Sequence, residues 1–175
     1  EDAARDLHRI AWRWFDARGA IDEAVRHAVL AGDAEAGADL IEANADSVLA
    51  RSGMAQLGVL VRLLPPIVVQ RRFGLRLFMA HLLLAVRNLP AVEAEVAEME
   101  EELARSPLSM DVQRHGLTVL RAGLAMQRDD SDAIAAMRPQ LEAIPDSASA
   151  FDVVRRGRAL AWLHMTRGDH ALARQ

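Results

Sequence analysis

Apolar residues recur along this chain at helical spacing almost from end to end, and no stretch alternates in the manner of a β-strand. Leu7, Ile10, Ala11, Trp14 and Phe15 follow the i, i+3, i+4, i+7, i+8 rule. That predicts an amphipathic helix over about residues 3–18 with this stripe turned to the core, Trp14 inside it and Trp12 off it. Gly19 ends it. Ile21, Ala24, Val25, Ala28 and Val29 repeat the offsets, and Asp22 and Glu23 occupy the first turn, where the helix dipole favours negative charge. Gly32 closes this second helix. Asp33 is the expected N-cap of a third, whose stripe is Ala34, Gly37, Ala38, Ile41, Ala45 and Val48.

A shorter helix with Leu57, Leu60, Val61 and Leu64 on one side stops at Pro65-Pro66, because proline disfavours helix in the residue before it. This is the best internal boundary and divides the chain into 1–65 and 66–175. Phe73 to Arg87 is apolar nearly all round, as in a helix packed on several sides. Pro90 opens a helix with the seam Val92, Val96, Met99 and Leu103. Ser106-Pro107 signals another over about 108–128. Asp130 or Ser131 caps one with the stripe Ile134, Met137 and Leu141, and Ser149 with Asp152 resembles a capping box opening a helix to about residue 167. The turns at Asn88, Asp129 and Gly168 lie 41 and 39 residues apart. Each unit is a helix, a turn and a second helix. A lone unit of that kind cannot bury its apolar face, so the pattern predicts an all-α fold of stacked helical hairpins. Ala94, Gly123, Ala133 and Ala136 are the small residues expected where hairpins approach closely.

Composition removes several chemistries. Every one of the 21 basic residues is arginine, and lysine, cysteine and tyrosine are absent. Without cysteine there is no thiol nucleophile, zinc-thiolate site or iron–sulfur cluster, and without lysine no Schiff base or P-loop lysine. The net charge of −4 makes a poor electrostatic partner for nucleic acid. The most apolar run, Leu77 to Val86, is too short to span a bilayer, which takes about 20 residues. The sequence opens without a targeting signal or initiator methionine and stops within an apparent helix start at Ala171, so it reads as a cytoplasmic fragment of a longer protein.

Candidate chemistry is sparse. No two of the histidines at 8, 27, 81, 115, 164 and 170 are three or four apart, so no helical metal motif forms. Asp129, Asp130 and Asp132 lack the glycine and closing glutamate of a calcium loop, and Glu98 with Glu100, Glu101 and Glu102 reads as a solvated face. Arg167-Gly168-Asp169 is turn chemistry rather than an integrin ligand. The clusters Arg71-Arg72 with Arg76 and Arg155-Arg156 with Arg158 suit phosphate or carboxylate recognition, although an exposed helix face explains them more simply. Four residues remain as candidates for a ligand or partner: Arg155, Arg158, Trp162, and His164 on an inner stripe with Val153, Gly157, Leu160 and Ala161. No catalytic, cofactor or metal residue is nominated.

Leu7-His8 through Trp14-Phe15, Ala17-Arg18-Gly19, Asp22-Glu23-Ala24 with Arg26-His27-Ala28, Ala31-Gly32-Asp33 and Ala38 to Glu42 together resemble a stretch of the large LuxR-type transcriptional regulators related to the maltose activator MalT. Gly53, Leu63-Leu64-Pro65, Leu82 to Ala85 and Glu93-Ala94 extend the likeness; beyond Ser106 it is one of architecture only. The family usually places glycine in the turn where this chain has Arg87-Asn88, and asparagine tolerates the left-handed cap. Pro90 stands where the family commonly has an acidic residue.

The resemblance implies a linking helical segment over 1–65 followed by the first repeats of a tetratricopeptide-like superhelix over 66–175, truncated at its C-terminus. It also implies a parent ATPase that activates transcription. There, ATP binds upstream, a helix-turn-helix contacts DNA downstream, and the repeats sense a small-molecule inducer or regulatory protein, with self-association possible and no membrane involved. The alternatives are a stand-alone tetratricopeptide-like adaptor for a peptide or partner helix, and an all-helical enzyme for which no residue stands out.

Overall fold

Burial follows the predicted stripes in most of the chain. A computed structural model describes residues 2–106 and 110–168, so Pro107, Asp169, His170 and the expected last helix lie outside the described residues. Among the described residues all regular structure is α-helical: α1 (Asp2–Asp16), α2 (Ile21–Leu30), α3 (Ala34–Val61), α4 (Pro66–Gln70), α5 (Phe73–Ala85), α6 (Leu89–Arg105), α7 (Asp111–Gln127), α8 (Ser131–Glu142) and α9 (Ala150–Thr166). No helix among them is long and apolar enough to cross a membrane.

The chain divides into two compact units, Glu1–Leu82 and Leu83–Gln175. In the first, Ile21, Ala24, Val25 and Ala28 of α2 pack with Ala38, Ile41 and Val48 of α3. Leu57, Leu60, Val61, Leu64, Val68 and Leu75 join the same core, which therefore continues past Pro65-Pro66. The turns before α2 and α3 use Gly19 and Gly32 at φ 70° and 80°. Asp33 then caps α3, accepting the Ala36 amide at 3.1 Å. α3 is two helical segments meeting at Gly53, whose φ 77° and ψ 177° are non-helical.

Arg72 ties the start of α5 back to α3. Its guanidinium donates to Glu35 at 2.6 Å, Asp39 at 2.6 Å and Glu42 at 2.8 Å, carboxylates from successive turns of one helix face. Hydrogen bonding to Glu35 holds its pKa above the ordinary arginine range against the effect of burial, with Asp39 and Glu42 adding to the same direction. Gly74 makes room for this cluster, since a Cβ there would lie 2.7 Å from Glu42 Oε1. Arg72 is thus a clamp inside the first unit rather than part of an open anion site.

The first helix corrects the sequence reading. Leu7, Ile10 and Trp14 face outward, at 68%, 66% and 50% exposure, whereas Phe15 of the expected stripe packs on the core and Trp12, expected off it, joins it there. The physical reason is a contact that periodicity does not register. His8 Nδ1 lies 2.8 Å from His27 Nδ1, and the Phe15 ring stacks on His27 at 5.3 Å, so α2 draws the 8, 12, 15 face inward. One imidazole donates in that bond and the other accepts.

In the second unit the seam Val92, Val96, Met99 and Leu103 of α6 is buried throughout. Val119, Ala122 and Ala125 of α7, Ile134, Met137 and Leu141 of α8, and Ala159 and Leu163 of α9 form one core with Ile144. Asp130 caps α8 by accepting from Ala133 N at 2.9 Å, and Ser149 caps α9 by accepting from Asp152 N at 3.1 Å. Gly123 lets α7 approach Leu84, whose Cδ2 a Cβ would meet at 2.8 Å. Ala94 and Ala136 are instead exposed.

The hairpin turns show a second departure. The left-handed residue before α6 is Arg87, at φ 59°, and Asn88 is the ordinary N-cap residue of that helix. Arg87 is held there in part by a bond from its side chain to the Gln127 carbonyl at 3.3 Å. Asp129, exposed and at φ 55°, occupies the equivalent place before α8. Because glycine visits this region without a Cβ penalty, Asp129→Gly is expected to stabilise the chain by about 0.5–1 kcal/mol, read as a rise in the denaturation midpoint. An unchanged or lowered midpoint would contradict the strain assigned to that turn.

Candidate functional site

A site in this fold has to come from surfaces that stacked helices leave open, and the second unit carries two. The first is a cleft of about 510 Å³ over α6, α7 and α8. Its floor is apolar, with Val96, Leu124, Ala125 and Met137 at 6–9% exposure, and Ala133 and Ala136 leave it open. Its rim is charged. Arg121 pairs with Glu100 at 3.1 Å and Arg128 pairs with Glu93. The two glutamates are seven residues apart on α6, as are Arg121 on α7 and Arg128 at its C-cap, so the two bridges form a ladder between antiparallel α6 and α7. All four side chains are 41–46% exposed, which leaves them open to competition from a ligand. The reading of Glu98 to Glu102 as solvent face missed this ladder. The signal was present in the matched spacing of Glu93 and Glu100 with Arg121 and Arg128.

The second surface lies on α9. Arg155, Arg158 and Trp162 fall on one face with Phe151, at i, i+3, i+7 and i−4 from Arg155. The Arg155 guanidinium sits over the Phe151 ring, 4.2 Å from its centroid. Burial first, and the neighbouring Arg158 charge second, lower the Arg155 pKa, with Asp152 opposing. Among the described residues no ion pair holds Arg155 or Arg158. Arg156 is different, since it donates to the Ile144 carbonyl and to Asp146 at 2.6 Å, fastening the segment that leads into α9.

His164 does not join that face. The buried side of α9 is Asp152, Ala159 and Leu163; of the expected stripe, Leu160 packs against the core while Gly157 is exposed. His164 is half-buried and lies on the far side of the helix from Arg155. Trp162 is half-buried too, and packs against the second core while remaining beside the arginines. Among the described residues no three His, Asp or Glu side chains gather as a metal site requires. The cleft therefore offers an apolar floor with exchangeable ion pairs, and α9 offers two guanidiniums beside aromatic rings.

No family model matches the chain, and no solved structure does. Among curated proteins, the serine/threonine-protein kinase PknK of Mycobacterium tuberculosis and that of Mycobacterium bovis are each 32% identical to it over 146 residues. That stretch is 81% of this chain and 13% of either kinase, so the chain spans a small part of the length of the relatives it matches.

Proposed function

We propose that this chain is an effector-sensing and protein-interaction segment of helical repeats, belonging to a larger cytoplasmic signalling protein of the MalT-like LuxR type. The observation that carries the reading is the cleft in the second unit. Stacked hairpins present an apolar floor, within the ~300–1,000 Å³ of small-molecule sites, under a rim of arginine–glutamate pairs. A ligand or partner segment with an apolar body and a carboxylate fills the floor and competes with Glu93 or Glu100 for Arg128 or Arg121. Occupation then biases the packing of α6 and α8 about α7, which is how binding at a repeat changes a distant equilibrium.

The kinases suggest a second host for the same kind of segment. The relatives are named for a serine/threonine kinase, yet the matched stretch is 13% of their length. This chain has no lysine, so it lacks the lysine with which kinases hold ATP phosphates. The likeness is therefore read as a shared regulatory segment attached to different outputs, a promoter-binding part in one case and a kinase in the other.

The division of labour is testable on the 175-residue chain itself. Purified chain is expected neither to hydrolyse ATP nor to retard promoter DNA, and either activity from homogeneous material would overturn it. Calorimetry with short oligosaccharides, aromatic acids and acidic peptides is expected to find a binder lost on Ala136→Trp, which fills the cleft from an exposed position. The same binder surviving Ala136→Trp unchanged would remove the cleft from the proposal.

A further inference from the structure

The exposed side of α1 is an apolar face among the described residues that the core does not use. Ala3, Leu7, Ile10 and Trp14 recur at spacings of four, three and four, the seam spacing of a helix packed against another helix. Leu7, Ile10 and Trp14 are half or more exposed, while the opposite face, through Trp12 and Phe15, is already committed to the core of the first unit. One helix thus carries two apolar faces, and among the described residues only one of them is packed on a core.

The charges beside the seam say what the second partner is. Asp2, Asp6, Arg9 and Arg13 all lie along one edge of the stripe and all are exposed. The acids fall in the N-terminal half and the arginines in the C-terminal half. Asp6 and Arg9 are paired within the helix at 2.6 Å. When two copies of such a helix pack antiparallel, like edges meet and run in opposite directions, so the acidic half of each lies on the basic half of the other. Placing Leu7 against Ile10 of a second copy, and Ala3 against Trp14, puts Asp6 between Arg9 and Arg13 of that copy. The other edge carries Ala4 and Ala11, small enough to let the backbones approach, with Arg18 lying over the Trp14 ring at 3.8 Å.

We propose that the outer face of α1 is a self-association surface, on which a second copy of this chain seats its own α1 antiparallel about a two-fold axis through the Leu7–Ile10 layer. The arrangement covers Leu7, Ile10 and Trp14 of both copies at once and satisfies the edge charges reciprocally, which a parallel pairing does not.

Sedimentation equilibrium on the 175-residue chain is expected to show a reversible monomer–dimer equilibrium. Ile10→Glu is expected to weaken it at least about tenfold while leaving the circular dichroism unchanged, since the position makes no core contact. Asp6→Arg sets like charges together across the dyad and is expected to weaken the dimer by about tenfold, and reversal of the whole edge, Asp2→Arg, Asp6→Arg, Arg9→Asp and Arg13→Asp together, to recover it to within about threefold. That recovery distinguishes self-pairing from capture of a foreign helix. A chain monomeric up to millimolar concentration overturns the proposal, and the face then belongs to some other occupant. So does a dimer indifferent to Ile10→Glu, or a four-residue reversal no better than the single one.

Discussion

Ile134→Ala is expected to destabilise the second unit by about 2–5 kcal/mol, the range for emptying a buried branched side chain from a close-packed core. Ile134 is 0% exposed and belongs to the core that side chains of α7, α8 and α9 form together, so the cavity falls within that shared core. The helix that carries it has little strength of its own. α8 is only 12 residues long, at the margin of what is helical in water without packing, and Pro139 inside it removes one backbone donor. The Asp130 cap contributes about 1 kcal/mol, too little to hold α8 once its anchor is lost. Amide exchange should therefore quicken throughout α8, and the cleft should lose the wall that Ala133, Ala136 and Met137 supply. An exchange pattern unchanged in α8 would show that its helicity does not depend on this core.

The contrast between α8 and α1 shows which parts of the fold were legible in the sequence. In α6 and α8 one set of large apolar residues satisfies the helical period, and every residue of that stripe is buried, although Ala94 and Ala136, expected at close approaches, are exposed. In α1 two overlapping sets satisfy it, because Trp12 and Phe15 lie less than half a turn of the wheel from Leu7, Ile10 and Trp14. Hydrophobicity alone then favours the longer stripe. What decides between them is the His8–His27 bond and the Phe15–His27 stack, between residues that sequence separates.

α9 was hidden for the opposite reason. Polar Asp152, at 7% exposure, takes one of its inward positions, and the half-buried Arg156 turns back to Asp146 and the Ile144 carbonyl, so the buried side does not read as apolar. The candidate site divides along the same line. Arg155, Arg158 and Trp162 share a face because they lie three, four and seven residues apart, which numbering alone reveals. His164 follows a stripe of which Leu160 packs on the core, but the centre of the buried side lies instead at Asp152, Ala159 and Leu163. The rim of the cleft shows in the sequence only as the matched seven-residue spacings of Glu93 with Glu100 and Arg121 with Arg128, whose meaning depends on the tertiary pairing of α6 with α7. The left-handed residue at 87 rather than 88 belongs to the same class, because the arginine is held in part through a carbonyl forty positions along the chain.

Gly53→Ala gives the sharpest test of the first unit, because its sign alone distinguishes two structures. Were α3 a continuous helix from Ala34 to Val61, replacing an interior glycine with alanine would stabilise it by about 0.5–1 kcal/mol, through the lower entropy of the unfolded chain and the better helix propensity. Gly53 instead has φ 77° and ψ 177°, a conformation that essentially only glycine adopts. A Cβ built there meets nothing within 4 Å, so no clash with neighbours enters the comparison and the penalty is the backbone's own. Alanine at 53 is therefore expected to cost about 1–3 kcal/mol. The chain can avoid that cost by straightening the helix, but a straight α3 turns Leu57, Leu60 and Val61 away from the core they now share with Ile41 and Val48. Either route destabilises. The denaturation midpoint should fall, and amide exchange should quicken first in the segment from residue 54 to the Pro65-Pro66 stop. A midpoint that rises instead would mean that the two segments of α3 run straight through residue 53.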